Sequence, residues 1–362
     1  MRILCFSVTP SPYQRNFFEA LAAQDGVNIT VAYFEQVPDD SPWQVAELEC
    51  WEEVLPGRVF GKGRVRCHWN PLLPEFSGYD VVIVNGPLTG FTTQRLFRLL
   101  TLTNAPPWVF WGEQLLPRTG LRGFIQRMLA APLGKATTLV AIGEAARQDY
   151  QQRFPQLRVC NIPYACRLTE FEQAGSARKA SSVCRFLYAG QMIERKGVDI
   201  LLGAFELLLQ SGRDAELQLV GREGDLMTWL GELCPTARAK VVYHGFKQPA
   251  DLPALFGRAD VFVLPSRHDG WGVVVNQALG AKMPVITTTA AGAGRDLVED
   301  GVNGLHVLAG EKEPLFRAMC RFADDPERRC KMAEEAYYSS FTVRPEVAAE
   351  RWMAVLKDVT GR

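Results

Sequence analysis

A chain of 362 residues is longer than one core usually serves, so two domains are expected, and its 47% apolar and 22% charged residues are ordinary for a soluble globular protein. Forty basic and forty acidic residues cancel, which excludes a strong global field drawing the chain to nucleic acid or membrane. Nine cysteines without a CxxC pair and only four histidines give no zinc spacing, and an odd cysteine count argues against a disulfide scaffold, which together point to a cytoplasmic chain with reduced thiols.

Charge is distributed unevenly. Glu19 to Glu53 holds nine acidic residues and no Lys or Arg, whereas Arg58 to Arg167 holds 14 basic and five acidic residues. Scattered charge is usually solvated surface. The functional alternative is a basic face on the first half that meets an anionic acceptor or lipid headgroups, placing the protein peripherally at the inner membrane face. No segment reaches 18 apolar residues, so no span is expected.

The N-terminal run Arg2 to Val8 reads as a first buried strand rather than a leader, and Thr9-Pro10-Ser11-Pro12 ends it in a loop. A helix over Asn16 to Ala23 and a strand over Asn28 to Phe34 follow. Asp39 to Asn70, with Trp43, Trp51 and Trp69, reads as irregular. Then come a strand (Asp80 to Asn85), a helix (Phe91 to Thr101) and a strand (Trp108 to Trp111) ending at Gly112-Glu113-Gln114. A basic amphipathic helix (Leu121 to Leu133), a strand (Thr137 to Ile142) and a helix through Arg153 complete the first half. Strand and helix alternate, which predicts a parallel sheet covered on both faces.

Residues 171–183, rich in Gly, Ala, Ser and charge, read as a linker between a domain over 1–170 and one over 184–344. The alternation then restarts. Arg185 to Tyr188, Glu216 to Val220, Val241 to Tyr243, Val261 to Leu264 and Pro284 to Thr287 read as strands. Val198 to Gln210 and Leu252 to Gly257 read as helices. Two Rossmann-like, doubly wound α/β halves are expected, with ligands at the carboxyl ends of the strands.

Three glycine turns fall at such ends. Gly190 to Gly197 joins a strand to a helix and carries Arg195 and Lys196, the makings of a diphosphate site at a helix N-terminus. It matches neither GxxxxGK[ST] nor GxGxxG. Gly221 to Gly224 and Gly292 to Asp296 are the other two. After Leu264, the polar loop around His268, Asp269 and Gly270 leads through Trp271 and Gly272 into a helix bearing Gln277, with Ser266 and Asp269 as candidate helix caps.

In combination, the second half closely resembles the retaining GT-B glycosyltransferases of family 4. AGQMIERKGVDILLGAF resembles that family's phosphate loop and following helix. HGFKQPADLPALFGRADVFVLPSRHDGWGVVVNQALGAKMPVI resembles its donor signature, and DLVEDGVNGLHV the turn and strand after it. The resemblance implies two Rossmann-like domains facing across a cleft, the second binding a UDP- or GDP-sugar and the first a glycan, lipid-linked or small-molecule acceptor. It implies that Lys196 and Arg195 meet the diphosphate, Asp269 the sugar hydroxyls and Gln277 the ribose. Gly190, Gln191, Gly221, Phe246, His268, Gly270, Trp271 and Gly272 would line the donor site. No cofactor and no metal is implied, and no nucleic acid partner.

Three positions depart from the family pattern. Asp269 and Gln277 stand where it has glutamates, and Gln191 where it often has arginine. The histidine often seen after the strand at Trp108 to Trp111 is absent, which leaves Glu113 as the first-half candidate for touching donor sugar or acceptor. Tyr13, Gln14 and Arg15 occupy the usual glycine-rich loop and are expected on the acceptor side, Tyr13 stacking on a sugar face. His244 and His306 read as satisfied strand histidines. The helix from Pro345 to Val359 resembles the family's final helix, which returns to the first domain. The rival readings are a nucleotide-sugar-binding protein that has lost turnover, which Gln191 and Gln277 permit, and a sugar-nucleotide epimerase, which four histidines disfavour.

Overall fold

The computed structural model describes residues 1–37, 44, 47–61, 66–102 and 104–362; Asp39 and Trp43, within the stretch expected to be irregular, lie outside them. The chain divides into two compact units, Met1–Tyr164 with Pro345–Arg362, and Ala165–Arg344.

The first unit runs β1 (Arg2–Ser7), α1 (Pro12–Ala22), β2 (Asn28–Tyr33), β3 (Glu52–Val54), β4 (Arg58–Phe60), β5 (Cys67–Trp69) and β6 (Val81–Val84). It continues with α2 (Phe91–Leu102), β7 (Trp108–Gly112), α3 (Gly120–Ala130), β8 (Thr138–Ala141), α4 (Glu144–Arg153) and β9 (Val159–Asn161). Seven strands form a parallel sheet in the order β3-β2-β1-β6-β7-β8-β9. β6, β7 and β8 are buried along their whole length, which is why they appear in sequence as unbroken apolar runs rather than alternating ones. The sheet grows one way from β1 and the other way from β6, so its topological switch point lies between them.

Two features of the first unit differ from the sequence expectation. The helix expected from Asn16 begins at Pro12: proline sits in its first turn, where no N–H is needed, and the Ser11 hydroxyl accepts from the Gln14 amide. The stretch expected to be irregular contributes β3 to the main sheet and an antiparallel hairpin of β4 with β5, each strand three residues long and too short to show a period.

The second unit holds α5 (Thr169–Ser176), β10 (Cys184–Ala189), α6 (Val198–Gln210), β11 (Ala215–Val220), α7 (Leu226–Glu232), α8 (Pro235–Arg238) and β12 (Val241–Tyr243). Then come α9 (Leu252–Phe256), β13 (Val261–Leu264), α10 (Val274–Gly280), β14 (Val285–Thr288), α11 (Gly292–Leu297), β15 (Gly304–Val307), α12 (Lys312–Asp324) and α13 (Pro326–Ser339). Its sheet is parallel in the order β12-β11-β10-β13-β14-β15, with the switch point between β10 and β13.

The expected linker begins inside α5, which is built into this unit. Phe171 packs edge-on against Phe256 at 5.1 Å, and a Cβ on Gly175 would lie 2.2 Å from the Ala281 carbonyl oxygen. The Arg178 guanidinium donates to the carbonyls of Ala281 (2.6 Å) and Lys282 (2.8 Å), and burial pushes its pKa down to about 10. Small residues resembled a flexible linker in sequence, yet here they permit close helix packing. The last helix, α14 (Pro345–Thr360), belongs to the first unit, where buried Trp352 packs 5.7 Å from Phe17 and 5.5 Å from Trp111.

Candidate functional site

In the second unit the turns after β10, β11 and β12 lock against one another at the sheet's carboxyl edge. The Gly190 amide donates to Val220 O (2.9 Å), Gly221 N to Gly245 O (3.0 Å), Met192 N to Arg222 O (2.9 Å) and Asp225 N to Met192 O (2.8 Å). The phosphate-type loop closes with Gly197 at φ 73°, and a Cβ there would sit 2.1 Å from the Pro265 carbonyl oxygen. Only glycine lets this loop reach the end of β13.

That contact brings Lys196 and Asp269 together. Their side chains form an ion pair and are 15% and 13% exposed. Arg195 Nη1 donates to the His268 carbonyl at 2.7 Å, while Arg267 fixes the same loop with a two-pronged bond to Asp199 at 2.7 and 2.6 Å. Asp269 is held by its backbone as well: its amide donates to Ala290 O (3.0 Å) and its carbonyl accepts from Gly292 N (3.1 Å). It is no helix cap, because α10 starts at Val274 and has no side-chain cap; Ser266 does not cap it either.

Several buried polar atoms around this edge have no protein partner: Ser266 Oγ, Gln277 Oε1, Arg195 Nε and His244 Nε2. Ser266 is fully buried and Gln277 is 3% exposed. A buried polar atom without a hydrogen bond costs about 1–3 kcal/mol, so each of these atoms, on loops and a helix that follow the strands of this sheet, is a group that a polar ligand could satisfy. Burial, and then the charges of Lys247 and Arg258, lower the His244 pKa, so its ring is neutral near pH 7. His306, by contrast, is engaged, with Nε2 3.0 Å from Gly294 O.

The remaining residues expected on the donor side divide by exposure. Gly270 and Gly272 lie in the loop between β13 and α10, Phe246 and His268 are half-buried, and Gln191 is exposed beside the buried Tyr188, whose hydroxyl donates to the Gln191 carbonyl at 2.9 Å. Trp271 is a correction. Its ring is 2% exposed and its Nε1 donates to Asn276 Oδ1 at 3.2 Å, so the indole serves the core and only its backbone remains for a ligand.

In the first unit, Gln14 and Arg15 are also corrected from acceptor contacts to structural groups. Gln14 is buried: its Oε1 accepts from Ser7 (3.1 Å), and its Nε2 donates to Asn85 Oδ1 (2.9 Å). Arg15 pairs with buried Glu52 on β3 and donates to the Glu47 carbonyl (2.8 Å), fastening α1 to the sheet edge. Tyr13 is half-buried in the first turn of α1. Instead, a pocket of about 500 Å³ opens at the carboxyl ends of β1, β2, β6 and β7, lined by Thr9, Glu35, His68, Asn85 and Glu113 among others. Glu35 forms an ion pair with Arg66 and lies 3.1 Å from His68 Nε2; His68 is 2% exposed, with Nδ1 unpartnered. Sequence reading missed Glu35, Arg66 and His68. The available signal was the position of Glu35 at a strand's carboxyl end, whereas the hairpin that delivers His68 had none. Among the described residues no three His, Cys, Asp or Glu side chains cluster as metal ligands.

Residues 184–325 match the family described as glycosyl transferases group 1. The chain is 28% identical over 215 residues to an alpha-D-kanosaminyltransferase of Streptomyces kanamyceticus, a match covering 56% of this chain and 55% of the relative. It is 22% identical to an uncharacterized glycosyltransferase of Haemophilus influenzae, over 79% of this chain and 78% of the relative. Its matches thus span about half, or less, of the length of the first curated relatives (55%, 35% and 39%). Among solved structures, sucrose-phosphate synthase from Thermosynechococcus elongatus superposes with a TM-score of 0.76 at 18% identity, covering 100% of this chain and 99% of that one. HepE of Anabaena, solved with UDP, gives 0.74 at 18% identity, covering 99% and 100%.

Proposed function

We propose, from the premise that residues 184–325 belong to the glycosyl transferases group 1 family and that the whole chain takes the GT-B fold, that this protein moves a hexose-type sugar from a UDP- or GDP-sugar to an acceptor hydroxyl with retention at the anomeric carbon. The observation that carries this reading is Lys196, beside Arg195 at the start of α6, paired with Asp269 across the β10–β13 switch point. UDP bound to a structural neighbour supports a nucleotide-sugar donor.

Lys196 and Arg195 would meet the diphosphate, aided by the amide end of α6. Lys196 would exchange its carboxylate partner for phosphate, which frees Asp269 to accept hydrogen bonds from sugar hydroxyls. The bond from the anomeric carbon to the diphosphate oxygen breaks, and the acceptor oxygen bonds to the same face. The acceptor proton goes to the leaving diphosphate, so no carboxylate nucleophile is needed. Fixed positive charge stabilises the negative charge that develops on the leaving group. The acceptor class stays open between glycan, lipid-linked and small-molecule hydroxyls. The pocket carrying Glu35, His68 and Glu113 is the place in the first unit for its polar groups.

A nucleotide-sugar panel tests the donor. At a hundredfold excess over Kd, a bound donor stabilises the fold by about 2.7 kcal/mol, so the matching UDP- or GDP-sugar raises the melting temperature and others do not. Absence of any shift, together with absence of donor turnover, removes this reading. A shift without turnover favours instead a binding protein, the reading that Gln191 and Gln277 permit.

Gln277→Glu addresses the ribose site. The glutamate would sit at a position only 3% exposed, where an unpaired carboxylate costs the unliganded fold more than the about 1–3 kcal/mol of a neutral polar group. Ribose hydroxyls would satisfy it, so donor affinity measured by calorimetry is expected to hold or rise. A tenfold loss places the ribose elsewhere.

A further inference from the structure

Helix α3 has its apolar stripe on the wrong side for a surface helix. Leu121, Phe124, Ile125 and Met128 are 74%, 53%, 46% and 60% exposed, while the small residues Gly123 and Ala130 form the buried face. A helix on a soluble domain normally turns its polar residues outward. At 3.6 residues per turn the four exposed side chains fall within an arc of about 100°, and Arg122 and Arg127 stand roughly 60° beyond its two edges. The helix is anchored by other means: Gln94 on α2 donates to the Leu129 carbonyl at 3.0 Å, and Gln126 to the Leu116 carbonyl at 2.9 Å.

The surrounding sequence is one-signed. From residue 114 to 143 there is no Asp or Glu, while Arg118, Arg122, Arg127 and Lys135 are all present and exposed. An exposed apolar stripe flanked on both sides by arginine is the form of a helix that lies in the plane of a membrane surface. The apolar side chains would enter the acyl boundary and the guanidiniums would stay among phosphates. A second copy of this chain fits poorly, because a twofold contact through this face would set arginine against arginine. Among the described residues no helix is long and apolar enough to cross a membrane, so the contact is peripheral.

We propose that α3 docks the first unit onto a bilayer surface carrying anionic lipid headgroups. This goes beyond the transferase reading and stands without it, because docking is read by vesicle binding whether or not any sugar is transferred.

The test is co-sedimentation of the full chain with phosphatidylcholine vesicles with and without phosphatidylglycerol. Wild type is expected to pellet with the anionic vesicles only and to be released by high salt. Arg118→Gln, Arg122→Gln and Arg127→Gln together should weaken binding on the order of a hundredfold, taking about 1 kcal/mol per basic residue near the surface. Phe124→Ser with Met128→Ser should also abolish pelleting. These residues are exposed, so melting temperatures should stay near wild type, which separates lost docking from lost folding. Wild type that stays in the supernatant overturns the proposal, as does binding unchanged in both variants. A dimer in light scattering that both variants dissolve would assign the face to a second copy instead.

Discussion

Lys196→Ala is expected to lower the rate of sugar transfer on the order of a thousandfold, in line with the loss of a charge aimed at a developing anion. In the unliganded protein the change also strands Asp269, whose side chain is only 13% exposed and whose ion-pair partner is Lys196. Two effects therefore combine. Leaving-group stabilisation disappears, which lowers kcat, and a repelling carboxylate faces the incoming diphosphate, which raises KM. Lys196→Arg keeps the charge but spreads it over a planar group, and should recover only part of the loss. Single-turnover kinetics with a saturating donor separates the two effects. A variant with kcat unchanged would remove Lys196 from the chemistry and leave it a partner of Asp269. If wild type itself binds donor without turning it over, the same variant is read by affinity, and loss of binding preserves the diphosphate assignment.

Gly221→Ala carries the largest expected effect on stability. Gly221 sits at φ 139°, and a Cβ there would lie 1.8 Å from the Gly190 carbonyl oxygen. That contact is backbone against backbone, so no side-chain rotation relieves it. The backbone conformation and the overpacking each cost about 1–3 kcal/mol, roughly 2–6 kcal/mol together. At about 2–4 °C per kcal/mol, the melting temperature should fall by 4 °C at the least and by up to about 24 °C. The damage should also reach the loop at 190–197, because Gly190 and Met192 bond across this turn to Val220 and Arg222. Scanning calorimetry of the full chain checks it, and a melting temperature within a degree of wild type would show that the turn can move aside.

How much of this was legible in the sequence depended on the range of the interaction. β12, β13 and α6 match the sequence expectation to the residue, because continuous apolar runs and a helical period are local signals. The glycine loop at 190–197 was legible too, since its spacing next to Arg195 and Lys196 is contiguous in sequence. What the sequence lacked was partners: Asp269 as the mate of Lys196 lies 73 residues away, and Glu35 meets a histidine delivered by a three-residue strand. Burial without a partner was equally invisible, as Ser266 shows. The amphipathic period over α3 was plain, but periodicity states that a stripe exists and not which way it faces. α5 was hidden by composition, because the small residues that let Gly175 touch Ala281 are those that usually signal a linker.

The return of α14 to the first unit has a consequence for synthesis. That unit is interrupted by the 180 residues of Ala165–Arg344, and Trp352 reaches Phe17 and Trp111 only from the far end of the chain. At 5–20 residues per second a ribosome takes roughly ten to forty seconds to cross the interruption. Throughout that interval the aromatic surface destined for α14 is bare, while the second unit emerges whole. The half of the molecule made first is therefore the half finished last.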